Sequence, residues 1–335
     1  MMDMDAIDPA IRDIQTVLFK TLSDLAPEGR QYAILDFPDY SNVGDSAIFL
    51  GELALLGAIH DCEPSYVCSM RSHTEQIDTK FPDGPLYLQG GGNFGDLWPA
   101  HQDFRENMLR RYPRRKIIQL PQSIHFNTTE ALDQCAFAID KHDDFTLLVR
   151  DEESFDLAQR KFNCPVLMCP DSAYALGPLT RTREATHPVL CMLRTDNEGA
   201  LTHEQHTEIT TYGPIQDWVN DTPNMKLKRD RLLEKTAMKA PFSRTMLQPT
   251  LGRIYEKWAR ERMDRGIAQL SAAQFVITDR LHVHILCTLL GIPHIIFDNN
   301  YGKISRHINA WPKSRQANVV HDMDEFRSIA QEKLL

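Results

Sequence analysis

YAILDFPDYSNVGDSAIFLGELALLGAIH, residues 32–60, carries the pattern that decides the fold. It opens on a short apolar run, YAILDF (32–37), of the kind that reads as a buried parallel strand. Past a polar turn, Ser46 to Ile59 places Ile48, Leu50, Leu53, Leu55, Leu56 and Ala58 on one wide apolar face. That is a helix period, and Asp45 or Ser46 can cap its first turn.

The same unit repeats along the chain. PLYLQ (85–89), KIIQL (116–120), FTLLV (145–149) and PVLMC (165–169) read as further strands, with helices between them. After a break the rhythm returns in PVLCML (188–193), QFVITD (274–279) and PHIIFD (293–298). Repeated strand–helix units predict an α/β chain of two Rossmann-like, doubly wound domains. A length of 335 residues exceeds one ordinary hydrophobic core, which also favours two. The stretch Ser172 to His187 is polar, holds Gly and Pro and lacks a period, so the hinge belongs there, giving domains 1–175 and 176–335. Between Arg194 and Ser271, residues Asp196 to Thr211 read as a polar loop, and Met225 to Lys239 and Thr250 to Leu270 as helices. A last helix, about Asp322 to Lys333, is free to pack back across either domain, the N-terminal one included.

Composition narrows the function. The formal net charge of -9 argues against broad attraction to nucleic acid, so any phosphate site must be local. The N-terminus, MMDMDAIDPAIRD, lacks the basic start and apolar core of a signal peptide, and no later stretch reads as a membrane span. Seven cysteines without a Cys-x-x-Cys pair read as reduced, mostly buried thiols. Together these features predict a cytoplasmic protein. The sequence holds no H-E-x-x-H, no Cys-His cluster and no G-x-S-x-G elbow, so metalloprotease and serine hydrolase readings lack their required residues. No metal site is evident, and no cofactor is expected. His203 and His206, three apart, read as part of a solvated loop.

Ligands of doubly wound folds sit outside the carboxyl ends of the strands, so polar residues directly after predicted strands are the candidates. After the first strand come Asn42, Gly44, Asp45 and Ser46, where Gly44 permits a tight turn and a helix N-terminus offers free N–H groups; a plain capped turn reads equally well. Next come Gly91, Gly92, Asn93 and Asp96 in QGGGNFGD (89–96), which matches neither a dinucleotide fingerprint nor a P-loop. Consecutive glycines let backbone approach a ligand or another chain closely. After QFVITD come Asp279, Arg280, Leu281 and His282, with His284 beyond. Arg280 can grip a carboxylate or phosphate in bidentate fashion and His282 can exchange a proton near neutral pH. Arg194 would add a second cation if its strand neighbours that of Arg280, and Lys303, in DNNYGK (298–303), a third. Two basic clusters, Arg105 to Lys116 and Lys226 to Lys239, read as solvated helix faces or as surfaces for anionic lipid headgroups, a peripheral membrane contact at the inner face of the membrane.

Taken in order, NVGDSAI, LQGGGNFGDLW, IIQLPQSI (which contains Ser123), VRDEES, CPDSA (which contains Asp171) and TDRLHVH resemble the polysaccharide pyruvyltransferase family over about residues 32–311. The resemblance implies a GT-B-like pair of domains facing a central cleft, with phosphoenolpyruvate held on the C-terminal side. It places the family's Arg-Leu-His on Arg280, Leu281 and His282, and its further arginine on Arg194. Pyruvate would pass to a sugar of an exopolysaccharide or its precursor, such as a lipid-linked oligosaccharide, as a ketal with release of phosphate. In that chemistry Arg280 and Arg194 neutralise the donor, His282 acts as general acid or base, and Asp45, Asp96 or Asp171 deprotonates the acceptor. Two other functions fit the same fold: a nucleotide-sugar-dependent glycosyltransferase, and a non-catalytic glycan-binding component of a polysaccharide assembly complex.

Overall fold

The computed structural model describes residues 8–27, 29, 31–74, 77–81, 83–194, 199–218, 232, 241–298 and 302–334. A helix not anticipated above, α1 (Pro9–Leu25), is capped by Asp8 and buries Ile11, Ile14, Leu18 and Leu22 along one face. The deciding stretch then folds as read, with β1 (Ala33–Leu35) followed by α2 (Val43–His60). The helix starts three residues earlier than its apolar face suggests. Asn42, not Asp45 or Ser46, is the cap, its Oδ1 accepting from the Gly44 N–H at 3.0 Å.

The first half continues with β2 (Tyr66–Cys68), α3 (Ile77–Lys80), β3 (Leu86–Leu88), β4 (Gly91–Gly95), α4 (Pro99–Arg111), β5 (Ile117–His125), α5 (Thr129–Asp140), β6 (Phe145–Val149), α6 (Glu152–Lys161) and β7 (Val166–Met168). Every pairing among these strands is parallel, in the order β2-β1-β3-β5-β6-β7. β5 outruns its predicted five residues, and its far end pairs with β4, so part of the glycine run is a strand. Gly91 sits at φ +127, a conformation that L side chains rarely adopt.

A 3-10 turn (Ser172–Leu176) leads into the second half: β8 (His187–Met192), α7 (His203–Thr210), β9 (Ile215–Gln216), α8 (Pro241–Ser271), β10 (Ala273–Thr278), α9 (Leu281–Leu290), β11 (His294–Phe297), α10 (Lys303–Ala310), β12 (Ala317–Val320) and α11 (Met323–Lys333). These strands are also parallel, in the order β12-β11-β10-β8-β9. Part of the stretch expected as a loop is α7, which Thr202 and Gln205 start with a reciprocal capping box. The helix expected over Met225 to Lys239, and the basic cluster in it, lie outside the described residues apart from Leu232. The last helix, α11, does not return to the first half: its Phe326 and Ala330 pack with Val189, Ile277, Ile295 and Phe297 of the second sheet.

One apolar cluster spans the two sheets. It joins Ile34, Ile118 and Leu148 of the first to Leu190, Val276 and Ile296 of the second through α2, α8 and α9. Contrary to the sequence expectation, α2 is long and apolar enough to cross a membrane, with a mean hydropathy of 1.4, but 67% of it is buried inside the protein. It is the central core helix, and its burial against neighbouring helices explains that composition.

Each strand order reverses direction once, between β1 and β3 in the first sheet and between β8 and β10 in the second. Such reversals open a crevice at the carboxyl ends of the strands.

Candidate active site

At those reversals the two sheets share a cavity of about 550 Å³, lined by Tyr40, Ser41, Asn42, Asp45, Gly92, Asn93, Trp98, His101, Arg150, Arg194, Trp218, Arg280, Leu281 and His282. A second cavity of about 660 Å³ is lined by the far half of α2, by α8 and by residues near the amino ends of β1 and β2, such as Tyr32 and Ser65. Strand carboxyl ends, where ligands of such folds bind, face only the first of the two.

Three arginines reach the first cavity from the ends of three strands. β8 and β10 are neighbours, with Met192 opposite Thr278, so Arg194 and Arg280 stand side by side as the sequence required. Asp279 is buried between them and its Oδ1 accepts from the Arg194 backbone N–H at 2.8 Å. Burial pushes the Asp279 carboxyl up, while that N–H and the guanidinium groups of Arg280 and Arg194 oppose the shift. Asp279 thus ties two strand ends together, behind the cavity wall. Arg280 precedes α9 and donates through Nη2 to Asp217 Oδ2 at 2.7 Å.

The third cation, Arg150, was not singled out by its position, although it directly follows FTLLV and the strand-end rule reaches it. It is 1% exposed and held from two sides: Nε donates to Ser123 Oγ at 2.9 Å and Nη1 to Asp171 Oδ2. Its Nη2 has no protein partner among the described residues. Ser123 passes its own proton to Asp151 Oδ2 at 2.7 Å, so its role is to fix the guanidinium.

Asp171 is buried below the cavity. Burial alone would push its carboxyl up, but Arg150, His282 and the Ala173 N–H hold it far below the usual carboxylate range. His282 Nε2 stands 3.4 Å from Asp171 Oδ2. The other side of the imidazole rests on Gly44. A Cβ added there would lie 2.5 Å from His282 Nδ1, so Gly44 serves close approach within a helical turn, and not the tight turn expected from sequence.

The opposite wall comes from the first half. Asn42 Nδ2 donates to Asp45 Oδ2 at 2.6 Å. Asn93 is locked by Gln122 and by Arg105 Nη2, which donates to its Oδ1 at 2.8 Å. Arg105, expected on a solvated face, is buried: Nε donates to Gln119 and Nη1 to Gln102, and the guanidinium lies 4.4 Å over the Phe94 ring. Its burial lowers the guanidinium pKa to about 10. Trp98 and Tyr40 are the exposed aromatics of this wall. His101, eight per cent exposed, completes it, with Nδ1 2.8 Å from Asp36 Oδ2. Neither His101 nor Asp36 carries a local sequence signal, because they meet across 65 positions.

Four sequence candidates lie elsewhere. Asp96 accepts from the backbone N–H groups of Asn127 and Thr128 and fastens β4 to the start of α5. Ser46 is buried against the Asn42 carbonyl, to which its hydroxyl donates. Gly91 backs onto Ile48 and Asp45. His284 is buried with Nδ1 2.8 Å from His294 Nε2, and burial beside His294 and His307 pushes its pKa well down. Lys303 begins α10, but its side chain and residues 299–301 lie outside the described residues. Among the described residues no group of three or more His, Cys, Asp or Glu is placed to hold a metal.

Residues 42–301 match the family model described as polysaccharide pyruvyl transferase. The chain is 34% identical to pyruvyl transferase 1 of Schizosaccharomyces pombe, over 84% of this chain and 70% of that one. It is 30% identical to the putative pyruvyl transferase EpsO of Bacillus subtilis, over 87% and 88%. A crystal structure of a functionally uncharacterised protein from Klebsiella pneumoniae superposes with a TM-score of 0.57 at 19% identity, covering 92% of this chain and 98% of that one, a likeness of fold.

Proposed function

Because the chain belongs to the polysaccharide pyruvyl transferase family, we propose that it takes pyruvate from phosphoenolpyruvate and sets it on a sugar of a polysaccharide or its precursor as a cyclic ketal. The observation that carries this reading is the convergence of Arg150, Arg194 and Arg280 on one cavity between two parallel sheets, a layout that supports a GT-B-like arrangement of donor and acceptor sides. Phosphoenolpyruvate carries a carboxylate and a phosphate close together, and guanidinium groups suit both because of their planar, paired donors.

The donor's enol carbon must become electrophilic. Protonation at the methylene carbon does this, and His282, held between Gly44 and Asp171, is the acid on that wall. Arginines fixed by Ser123, Asp171 and Asp217 need no reorientation as charge shifts toward the departing phosphate. The sugar lies against Tyr40, Asn42, Asp45 and Trp98, where exposed aromatic faces and amide or carboxylate groups suit a ring with hydroxyl edges. The reaction needs no resident cofactor and is set in the cytoplasm, where phosphoenolpyruvate is made.

Calorimetry tests the donor site. The wild type is expected to bind phosphoenolpyruvate saturably and UDP-glucose not at all, with binding lost in Arg280→Ala. Binding of UDP-glucose without phosphoenolpyruvate would overturn the reading in favour of a nucleotide-sugar glycosyltransferase.

A further inference from the structure

The acceptor hydroxyls need a base, and the three carboxylates that the sequence offers for it are already engaged. Asp171 is bound by Arg150 and held far below the usual range, Asp96 faces the α5 turn, and Asp45 is engaged by Asn42.

Asp36 and His101 stand apart from these. Asp36 directly follows β1 at φ 73, in the left-handed region that a non-glycine residue enters at a cost. Its carboxyl is 3% exposed; Oδ2 faces His101 Nδ1 at 2.8 Å and Oδ1 is buried with no hydrogen-bond partner. A strained backbone, a buried carboxylate and an unsatisfied oxygen at one residue are three separate expenses, and fold stability recovers none of them. Burial pushes the Asp36 carboxyl up, while the hydrogen bond and charge of His101 and the charge of Arg105 oppose the shift. In its ionised form the carboxylate only accepts, so in a neutral ring Nδ1 carries the proton and Nε2 keeps its lone pair. The ring stands in the cavity wall with Tyr40 edge-on at 6.0 Å, and Nε2 has no protein partner among the described residues.

We propose that His101 Nε2 is the base that takes the acceptor's hydroxyl protons, with Asp36 as the positioning residue that fixes its tautomer. This rests on the function proposed above. The first hydroxyl oxygen bonds to C2 of the enolpyruvyl group and loses its proton to His101, while the C2=C3 electron pair takes a proton at C3 from His282. Once His101 has returned its first proton to solvent and His282 has been reprotonated from solvent, the second hydroxyl oxygen bonds to C2 and gives its proton to His101, and the C2–O bond to phosphate breaks with its electrons leaving on phosphate, which takes up that proton. The two hydroxyl protons balance the one gained by the new methyl group and the one carried away by phosphate.

Two measurements test this on the full chain. In ¹⁵N-histidine NMR, His101 of the wild type is expected as the Nδ1–H tautomer, shifting toward Nε2–H in Asp36→Asn; an Nε2–H ring in the wild type, or no response to the substitution, overturns the proposal whatever the acceptor. In phosphate release from phosphoenolpyruvate with mixed methyl hexopyranosides, His101→Gln is expected to lose about 100-fold or more in turnover, as removal of a general base does, while the calorimetric affinity for phosphoenolpyruvate stays within about two-fold. Near-normal turnover in His101→Gln overturns the proposal, and should that variant fail to fold, His101→Asn replaces it. A wild type that does not bind phosphoenolpyruvate strikes at the donor reading instead, a failure the calorimetry separates from that of the base.

Discussion

Replacing Gly44 by alanine adds one methyl group to the first turn of α2. The new carbon would lie 2.5, 2.6 and 2.8 Å from Nδ1, Cγ and Cβ of His282, whereas ordinary contact starts at 3.4 Å. The imidazole must therefore retreat by about 1 Å, and a misplacement of that size costs about 100-fold in rate. Stability should change far less. Alanine gains about 0.5–1 kcal/mol over glycine inside a helix, against about 1–3 kcal/mol for overpacking, so a net loss of about 0–2.5 kcal/mol is expected. Gly57→Ala is the matched control, since on the same helix its added carbon meets only the Cys62 carbonyl oxygen at 3.7 Å. Phosphate release and urea unfolding of both variants make the test. Wild-type turnover in a folded Gly44→Ala would refute the idea that this glycine exists to seat His282.

Arg105→Met should destabilise the protein by about 3 kcal/mol in urea unfolding, because Gln119, Gln102 and Asn93 lose a buried charged donor together; a loss under about 1 kcal/mol would contradict the buried network. Glu52 is fully buried in α2, where burial first and then Asp171, Asp36 and Asp45 hold its carboxyl well above the ordinary 4.5 despite the Gly90 N–H. Its neutral form favours folding below pH 4.5, and that contribution fades as pH rises toward the folded-state pKa while the unfolded chain ionises freely. Glu52→Gln should therefore match the wild type near about pH 4 and exceed it progressively toward about pH 8; a difference that does not change with pH would show Glu52 to be ionised in the fold.

The parallel strands with apolar runs of five or six residues were legible because burial on both faces leaves no polar alternation to obscure them. β2 and β12 were not, since YVC and ANVV are short and flanked by polar residues. β4 hid behind its glycines, which read as a close approach of backbone to a ligand or another chain, whereas the far end of β5 pairs with them as a strand. The wall of the cavity built from the second half was largely visible: Arg194, Arg280 and His282 all follow strands, and the strand-end rule needs no knowledge of partners. The wall from the first half was not. Asp36 and His101 meet only because the end of β1 and the start of α4 converge, and nothing local to either residue announces the other.

The loop after β1 is what holds the two walls in register. Phe37 stacks on Tyr255 of α8 at 4.4 Å, Arg262 donates to the Pro38 carbonyl, and Arg265 Nη2 donates to the carbonyls of both Ser41 and Trp218. Ser41 and Trp218 line the cavity from opposite halves of the chain, so a single guanidinium spans the crevice. Turning one sheet away from the other would break these charge-assisted bonds, each worth about 1.5–3 kcal/mol, and would expose the apolar surface that joins α2, α8 and α9. A crevice tied in this way keeps its arginines and His282 at fixed distances from the Asp36–His101 wall before any ligand arrives. For a transfer between two bound partners, that fixed spacing is where the rate advantage of holding them together comes from.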